Sequence, residues 1–494
     1  MVVLDTTIAN VSVPHIAGAL AVSPAQGTWV ITSYSVAEAI TVPLTGWLAQ
    51  RFGAVRVFAF GMAGFGLFSL LCGLAPSFAL LVAFRVAQGL CGGPIMPMSQ
   101  TLMLHIFPRE RAGAAMGLWG MTTVVAPIVG PILGGQISDN LHWSWIFLIN
   151  IPVAAFVGIL AYRMLIDHDT ATRKVPVDYV GLGLLVTWVG AMQIMLDKGK
   201  ELDWFHSPEV LTLAIVSAVG FAFLVAWELT DDHPVVDLRM LKVRNFWTGT
   251  LCMTVAYSLF MGNLVLLPLW LQQFMGYTST QAGELMAPVG LFAIILSPLV
   301  GKNIQKFDPR ALTTFAFLVF ALVLFMRSHF NTQADFGTLM LPTIIQGVAV
   351  AFFFIPLTTI TLNGIAPDKI AGASGLSSFA RIVGGSFGTS IAITVWQDRA
   401  ALHHAQLAEL INRGSVASNA ALSNFAAAGM STEQALSQIN RLIDQQAFVL
   451  AANDVFYASS IIFILLIPMV WLARPIRVAA HATSASADAA AGAH

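Results

Sequence analysis

A helix needs about 20 consecutive apolar residues to cross the roughly 30 Å hydrocarbon core of a bilayer. Only helices and closed barrels satisfy their backbone hydrogen bonds there. This chain carries such apolar runs from one end almost to the other. Read with ends uncertain by a few residues, they are 1–14, 28–48, 57–75, 79–104, 113–137, 145–163, 179–196, 210–228, 246–270, 281–300, 311–326, 338–362, 371–396 and 453–473, fourteen in all. Several of them, for example 57–75 and 113–137, hold no charged residue. The composition agrees: 57% of the 494 residues are hydrophobic and 10% are charged, where soluble domains carry roughly 25% charged residues. An ordinary soluble enzyme and a disordered chain are both excluded. The expected fold class is an all-α polytopic membrane protein.

Lys and Arg set the orientation. With the N-terminus inside, sixteen of them fall in cytoplasmic segments, among them Arg51, Arg56, Arg109, Arg111 and Arg310. Six fall on the opposite side: Lys198, Lys200, Arg327, Arg399, Arg413 and Arg441. Arg85 and Arg381 lie within spans. The asymmetry predicts both termini inside. The formal net charge of -1 leaves no basic surplus for nucleic acid. The cysteines, Cys72, Cys91 and Cys252, lie in apolar blocks without metal or disulfide spacing, and packing is their expected role.

One internal repeat is visible. Gln88-Gly89, Pro97, Pro108, Ala112-Gly113-Ala114 and Gly117 recur as Gln346-Gly347, Pro356, Pro367, Ala371-Gly372-Ala373 and Gly375, at an offset of 258 or 259 residues. Two six-helix halves with two helices inserted between them produce that shift, and parallel repeats of this kind mark transporters. The expected organisation is an N-terminal half over 1–163 and two inserted spans with their loops over 164–245. A C-terminal half follows over 246–473, including an outer hydrophilic segment at 397–452, and then a disordered tail over 474–494. Residues 397–452 read as two amphipathic helices around a turn, with Ser431 and Gln434 forming a capping box. Met1 to Pro14 covers only about 20 Å at 1.5 Å per residue, so either the chain begins upstream of Met1 or the first helix is truncated. No cleavable signal peptide is expected.

Ionisable residues inside a membrane are functional candidates because burying them is costly. Here they are Asp5, Glu38, Arg85, Glu284 and Arg381. A carboxyl group that binds and releases a proton as its surroundings change is what a proton-coupled carrier requires, and Asp5 is the first choice. Arg85 is expected to tune a nearby carboxylate or bind an anion. Glu284 and Arg381 stand as candidates for a substrate or proton path, with Glu284 near a span end. Pro127, Gly130, Pro131, Gly134 and Gly135 share one helix, where prolines bend the axis and glycines allow close contact. Gly46, Arg51, Gly53 and Arg56 are expected in a short cytoplasmic turn. His403-His404 reads as a solvated surface pair. No nucleophile–base set, metal cluster or phosphate loop points to an enzyme.

These motifs resemble the major facilitator superfamily, and within it the fourteen-helix drug:proton antiporters of the EmrB/QacA type. Leu4-Asp5-Thr6-Thr7-Ile8-Ala9-Asn10-Val11 is similar to that family's first-helix motif, whose acid is implicated in proton coupling. Gly46 to Arg56 resembles its gating loop, with Gln50 at the usual acidic position. Arg85-Val86-Ala87-Gln88-Gly89 resembles the helix-4 motif, whose arginine is linked to proton transfer. Ala126 to Gly135 resembles the antiporter motif that separates exporters from importers. Segments such as Gly199-Lys200-Glu201-Leu202-Asp203-Trp204-Phe205 place the likeness nearest the EmrB branch, over nearly the whole chain. The resemblance implies a proton-coupled exporter of amphipathic or lipophilic toxic compounds in a bacterial inner membrane. It implies no cofactor, with the proton gradient as energy source. It also implies an EmrA-like periplasmic adaptor and a TolC-like outer-membrane channel as partners. Glu38, mid-span in 28–48, is expected from its position to join Asp5 and Arg85 in proton coupling. The alternative is a stand-alone exporter of one metabolite or fatty acid.

Overall fold

The structure is a computed structural model and describes residues 1–232, 234–304, 306–409 and 416–475. Among these residues it is helical, without strands. The helices are α1 (Val2–Ala19), α2 (Pro24–Gly27), α3 (Trp29–Thr41), α4 (Thr45–Phe52), α5 (Ala54–Gly73), α6 (Phe78–Gly92), α7 (Ile95–Ile106), α8 (Arg109–Asn140), α9 (Trp145–Leu148) and α10 (Asn150–Leu165). There follow α11 (Tyr179–Lys198), α12 (Pro208–Thr230), α13 (Arg244–Phe274), α14 (Ser279–Asn303), α15 (Pro309–Arg327), α16 (Phe336–Ala351), α17 (Phe354–Leu362), α18 (Ile370–Glu409), α19 (Val416–Ala427) and α20 (Thr432–Trp471). Each apolar run of the sequence falls on one of these helices or on a consecutive pair. Eleven helical stretches of the described residues are long and apolar enough to cross a membrane.

The expectations need correcting in four places. The first helix passes through Pro14 to Ala19, because membrane helices tolerate proline where neighbours satisfy the freed carbonyl. The expected turn at Gly46–Gly53 is helical up to Phe52. The chain reverses only at Gly53, whose φ of 92° suits a residue without Cβ. The two separate amphipathic helices expected in 397–452 are continuations of the flanking spans. Helices α18 and α20 each run 40 residues, with the short α19 between them. From Thr389 to Glu409 no glycine or proline stops α18, and the Ser431–Gln434 capping box starts α20 early. Finally, His403 and His404 are not solvated alone: each meets a carboxylate of α20, Asp454 at 2.8 Å and Asp444 at 2.7 Å. The tail from 476 onward and residues 410–415 lie outside the described residues.

The repeat seen in sequence is a repeat in structure. α6 breaks at Gly93-Pro94 before α7, and α16 breaks at Phe352-Phe353 before α17, at matching offsets. One apolar cluster joins Ala39 and Val42 of the first half to Leu185, Val189 and Leu224 of the inserted helices and to Phe246, Ala373, Leu376 and Phe379 of the second half. The inserted pair is thus packed into the bundle rather than appended to it. Glycines bring the halves into backbone contact at one end. A Cβ on Gly46 of α4 would stand 2.6 Å from the Cα of Gly372 of α18. One on Gly113 of α8 would collide with the carbonyl of Gly301 of α14. Gly113 and Gly372 are repeat equivalents, so the two crossings are one contact made twice. Gly46→Ala and Gly113→Ala are expected to force backbone shifts and to destabilise by about 1–3 kcal/mol. Gly135→Ala, with open space around the added methyl, is expected to be neutral. Thermal unfolding of the purified variants checks this.

Candidate functional site

Asp5 and Arg85 meet inside the first half. α1 carries Asp5 inward in its first turns, and α6 brings Arg85 up beside it. The Arg85 Nη1 donates to Asp5 Oδ2 at 2.6 Å, with the two side chains 0% and 1% exposed. Asn150, at the start of α10, donates to Asp5 Oδ1 at 2.6 Å. Gln88, one turn beyond Arg85 on α6, donates to the same oxygen at 3.4 Å. Its own carbonyl oxygen accepts from Arg85 at 2.8 Å. Arg85 Nε donates to the Val30 carbonyl at 2.9 Å. The guanidinium carbon lies 4.2 Å from the ring centre of Tyr34 and 5.4 Å from that of Phe147, so aromatic faces share in holding the cation. Ser69 of α5 completes the set: it accepts from Asn150 at 3.2 Å and donates to the Phe147 carbonyl at 2.8 Å. Arg85, Asn150 and Gln88 all meet the Asp5 carboxylate with donors, the environment of an ionised group.

The helix carrying the expected Pro/Gly motif supports this site. Thr7 of α1 donates to the Ala126 carbonyl of α8 at 3.3 Å. Side chains at Gly130 and Gly134 would run into Thr7 and into the Ile8 backbone. These glycines therefore let α8 lie directly on the stretch of α1 that presents Asp5. Gly135 faces open space. The side chains of Pro127 and Pro131 lie outside the described residues.

Glu38 and Arg381 occupy the space between the halves. Glu38 is half-buried on α3, and its carboxylate lies within electrostatic range of Arg381, Arg85 and Asp5. Arg381 of α18 sits 5.1 Å from the ring centre of Tyr257. It lines a narrow space of about 20 Å³, room for a water-sized molecule in this conformation, together with Gln100, Trp119, Met253, Phe354 and Ser378. There a cationic group stands among aromatic, aliphatic and hydroxyl side chains. Glu284 does not join it. It is exposed near the start of α14, beside Tyr277, Gln281 and Phe336.

At the other expected motif, Arg51 donates to the Val175 carbonyl at 2.5 Å and lies over Trp47. An acid from farther along the chain stands beside this turn. Asp169, after α10, accepts from the Val55 backbone at 2.9 Å and stands 3.8 Å from Arg56. It sits against Gly53, where a Cβ would meet its carboxylate. Thr170 accepts from the Ala54 backbone at 2.9 Å. Together they hold the start of α5 to the linker.

Several of these residues were not singled out from sequence. Gln88 belongs to the repeat, and Asn150 is the lone amide within the apolar run 145–163. Arg327 is a correction. The sequence placed it in an outer loop, but it closes α15 with 1% exposure. It donates to Gln346 at 2.6 Å and Thr343 at 3.2 Å. No metal-holding group of His, Cys, Asp or Glu occurs among the described residues.

The family profile described as Major Facilitator Superfamily matches residues 1–389. The chain is 48% identical over 476 residues to the multidrug export protein EmrB of Escherichia coli (strain K12), covering 96% of this chain and 93% of that one. It is also 48% identical over 475 residues to the fatty acid resistance protein FarB of Neisseria gonorrhoeae, covering 96% and 94%. Two solved structures share the fold at 15% identity. The human organic anion transporter MFSD10 (TETRAN) has a TM-score of 0.59 over 95% of this chain and 96% of that one. The proton:xylose symporter XylE has a TM-score of 0.57 over 95% and 92%.

Removing one partner of a buried ion pair strands the other charge, at a cost of about 3–5 kcal/mol. Arg85→Gln is therefore expected to lose about that much stability. The double variant Asp5→Asn with Arg85→Gln is expected to recover most of it. Unfolding of the single and double variants in one detergent measures the coupling.

Proposed function

The chain belongs to the Major Facilitator Superfamily, and from that premise we propose that it exports amphipathic toxic compounds in exchange for protons bound at Asp5. It is a multidrug efflux transporter, not an enzyme, similar over nearly its whole length to proteins named for multidrug export. The observation that carries the proton-coupled reading is the all-donor shell of Asp5. Arg85, Asn150 and Gln88 all point hydrogens at the carboxylate. A proton on Asp5 turns one acceptor oxygen into a donor facing donors. Protonation therefore requires the shell to open, which displaces α6 or α10 relative to α1. Because α8 rests on α1 through Gly130 and Gly134 and reaches α14 through Gly113, such a displacement passes to the contact between the halves. The substrate binds in the space lined by Trp119, Met253, Phe354 and Arg381, with Glu38 beside Arg381 as a second titrating group.

The reading includes a bacterial inner membrane with both termini inside, on the Lys/Arg asymmetry of the loops. Proton-driven exchange then follows from rocking of the two halves about the central space. It also includes a tripartite pump with an EmrA-like adaptor and a TolC-like channel. Helices α18 and α20, at 40 residues each, are about 60 Å long by their rise. That is about twice the hydrocarbon thickness, which leaves a helical projection on the outer side for an adaptor. A fatty acid as the exported compound is the second reading, since a relative of equal identity is named for fatty acid resistance and Arg381 offers a cation to a carboxylate.

Everted membrane vesicles with an established inward proton gradient test the exchange. Addition of lipophilic cations or long-chain fatty acids, each against vesicles lacking the protein, is expected to draw protons out for at least one class. Asp5→Asn vesicles are expected to be silent. Equal responses from parent and Asp5→Asn, or none from either, would sink proton exchange through Asp5.

A further inference from the structure

The offset relating the two halves can be followed residue by residue into the second polar cluster. Gly89 packs against the Tyr34 carbonyl and the Glu38 nitrogen. Gly347 packs against the Phe292 side chain and the carbonyls of Pro288 and Val289. A shift of 258 takes Gly89 to Gly347 and Tyr34 to Phe292. The same shift takes Asp5 to Asn263, Ser69 to Arg327, Arg85 to Thr343 and Gln88 to Gln346. Asp5 accepts from Asn150, and Asn263 in turn donates to Ser459 of α20 at 3.1 Å. Both halves thus hold a polar cluster at the same place, built from the same helices of each repeat.

The clusters differ in charge. The first holds one arginine and one carboxylate in contact. In the second the arginine has moved from the position of Arg85 to that of Ser69, and an amide stands where the carboxylate was. Arg327 uses its Nη2 on the neutral Gln346 and Thr343. Its Nε is buried and unpartnered. Among the ion pairs of the described residues none involves Arg327. The carbonyls ending α15 offer it a partial charge of about one half, less than a counter-ion. Two further buried groups of the second half lack partners, the Trp270 Nε1 donor and the Asn263 Oδ1 acceptor. The Trp270 ring stacks on Phe330 at 5.8 Å, and the Phe330 nitrogen donates to the Arg327 carbonyl at 3.1 Å. A spare guanidinium N–H and a spare indole N–H are both donors, and both want an acceptor that carries charge.

We propose that Arg327 is the core of a binding site for a small monovalent inorganic anion, such as chloride, which fills the electrostatic role that Asp5 fills in the first half. Arg327 is the last residue of α15, at the end of the bundle opposite Gly46, beneath the segment 328–335 and the α20 residues Gln446 and Asn453 that bond to it. The anion enters from there and is held by charge and by N–H donors. No covalent step is involved, and the inference does not depend on which compound is exported.

The full chain, purified into lipid nanodiscs, is unfolded by heat while chloride replaces gluconate at constant ionic strength. The parent is expected to gain thermal stability with chloride and to saturate, and bromide is expected to substitute. Arg327→Gln is expected to lose the chloride-dependent increment. Asn263→Asp places a fixed carboxylate in the cluster, and is expected to be at least as stable as the parent in gluconate and indifferent to chloride. A parent whose unfolding temperature is the same in both salts overturns the proposal. So does an Arg327→Gln protein that keeps the full increment. If Arg327→Gln does not fold, Asn263→Asp decides: an undiminished increment in that variant overturns the site.

Discussion

An arginine with no exposed surface, inside an apolar bundle, persists only beside something that compensates its charge. Arg85 is such a residue, and Asp5 is what compensates it. Much of the first half is arranged around that requirement. α6 delivers the cation and α1 the anion. α10 and α5 supply Asn150 and Ser69 to complete the hydrogen bonds, and Tyr34 and Phe147 wall the cation with ring faces. The glycines of α8 let it close over α1 at that level. Since both charges are shut away from solvent, adding a proton to Asp5 alters the packing of four helices. A group with that property can couple proton binding to a change of conformation.

The duplicated architecture explains why a change in one half reaches the other. The contact between α4 and α18 through Gly46 and Gly372 is repeated between α8 and α14 through Gly113 and Gly301. Both lie at one end of the bundle, and the space lined by Arg381 and Trp119 lies between the halves. α8 takes part in both systems, touching Asp5's helix at Gly130 and Gly134 and the opposite half at Gly113. Duplication has also allowed divergence. The two polar clusters keep their amides, Gln88 and Gln346, while the charges have been redistributed. One half carries a neutral pair and the other an unbalanced cation at Arg327.

Much of this was legible in the sequence. The apolar runs are long and separated by polar turns, so helix positions followed from the cost of unpaired backbone in lipid. The in-membrane acids and arginines stood out because they are costly there. What the sequence concealed has physical causes as well. Charge alone does not distinguish an arginine in a loop from one folded back into the bundle, so Arg327 was misplaced. Asn150 and Gln88 are ordinary residues until a carboxylate is set beside them. Asp169 lies more than a hundred residues from Val55 in the chain, and no local pattern joins them. The extended α18 and α20 were hidden because an amphipathic sequence follows an apolar one without a break, and hydropathy marks a boundary where the backbone has none.

The central claim is that Asp5 alternates between an ion pair with Arg85 and a protonated state when substrate binds. Proton release on binding measures it directly. The purified protein, in weakly buffered solution with a pH-sensitive dye, is titrated with an exported compound. The account predicts that binding changes the proton count of the parent and leaves that of Asp5→Asn unchanged, with binding still detectable in both. The same proton release from Asp5→Asn as from the parent would contradict it.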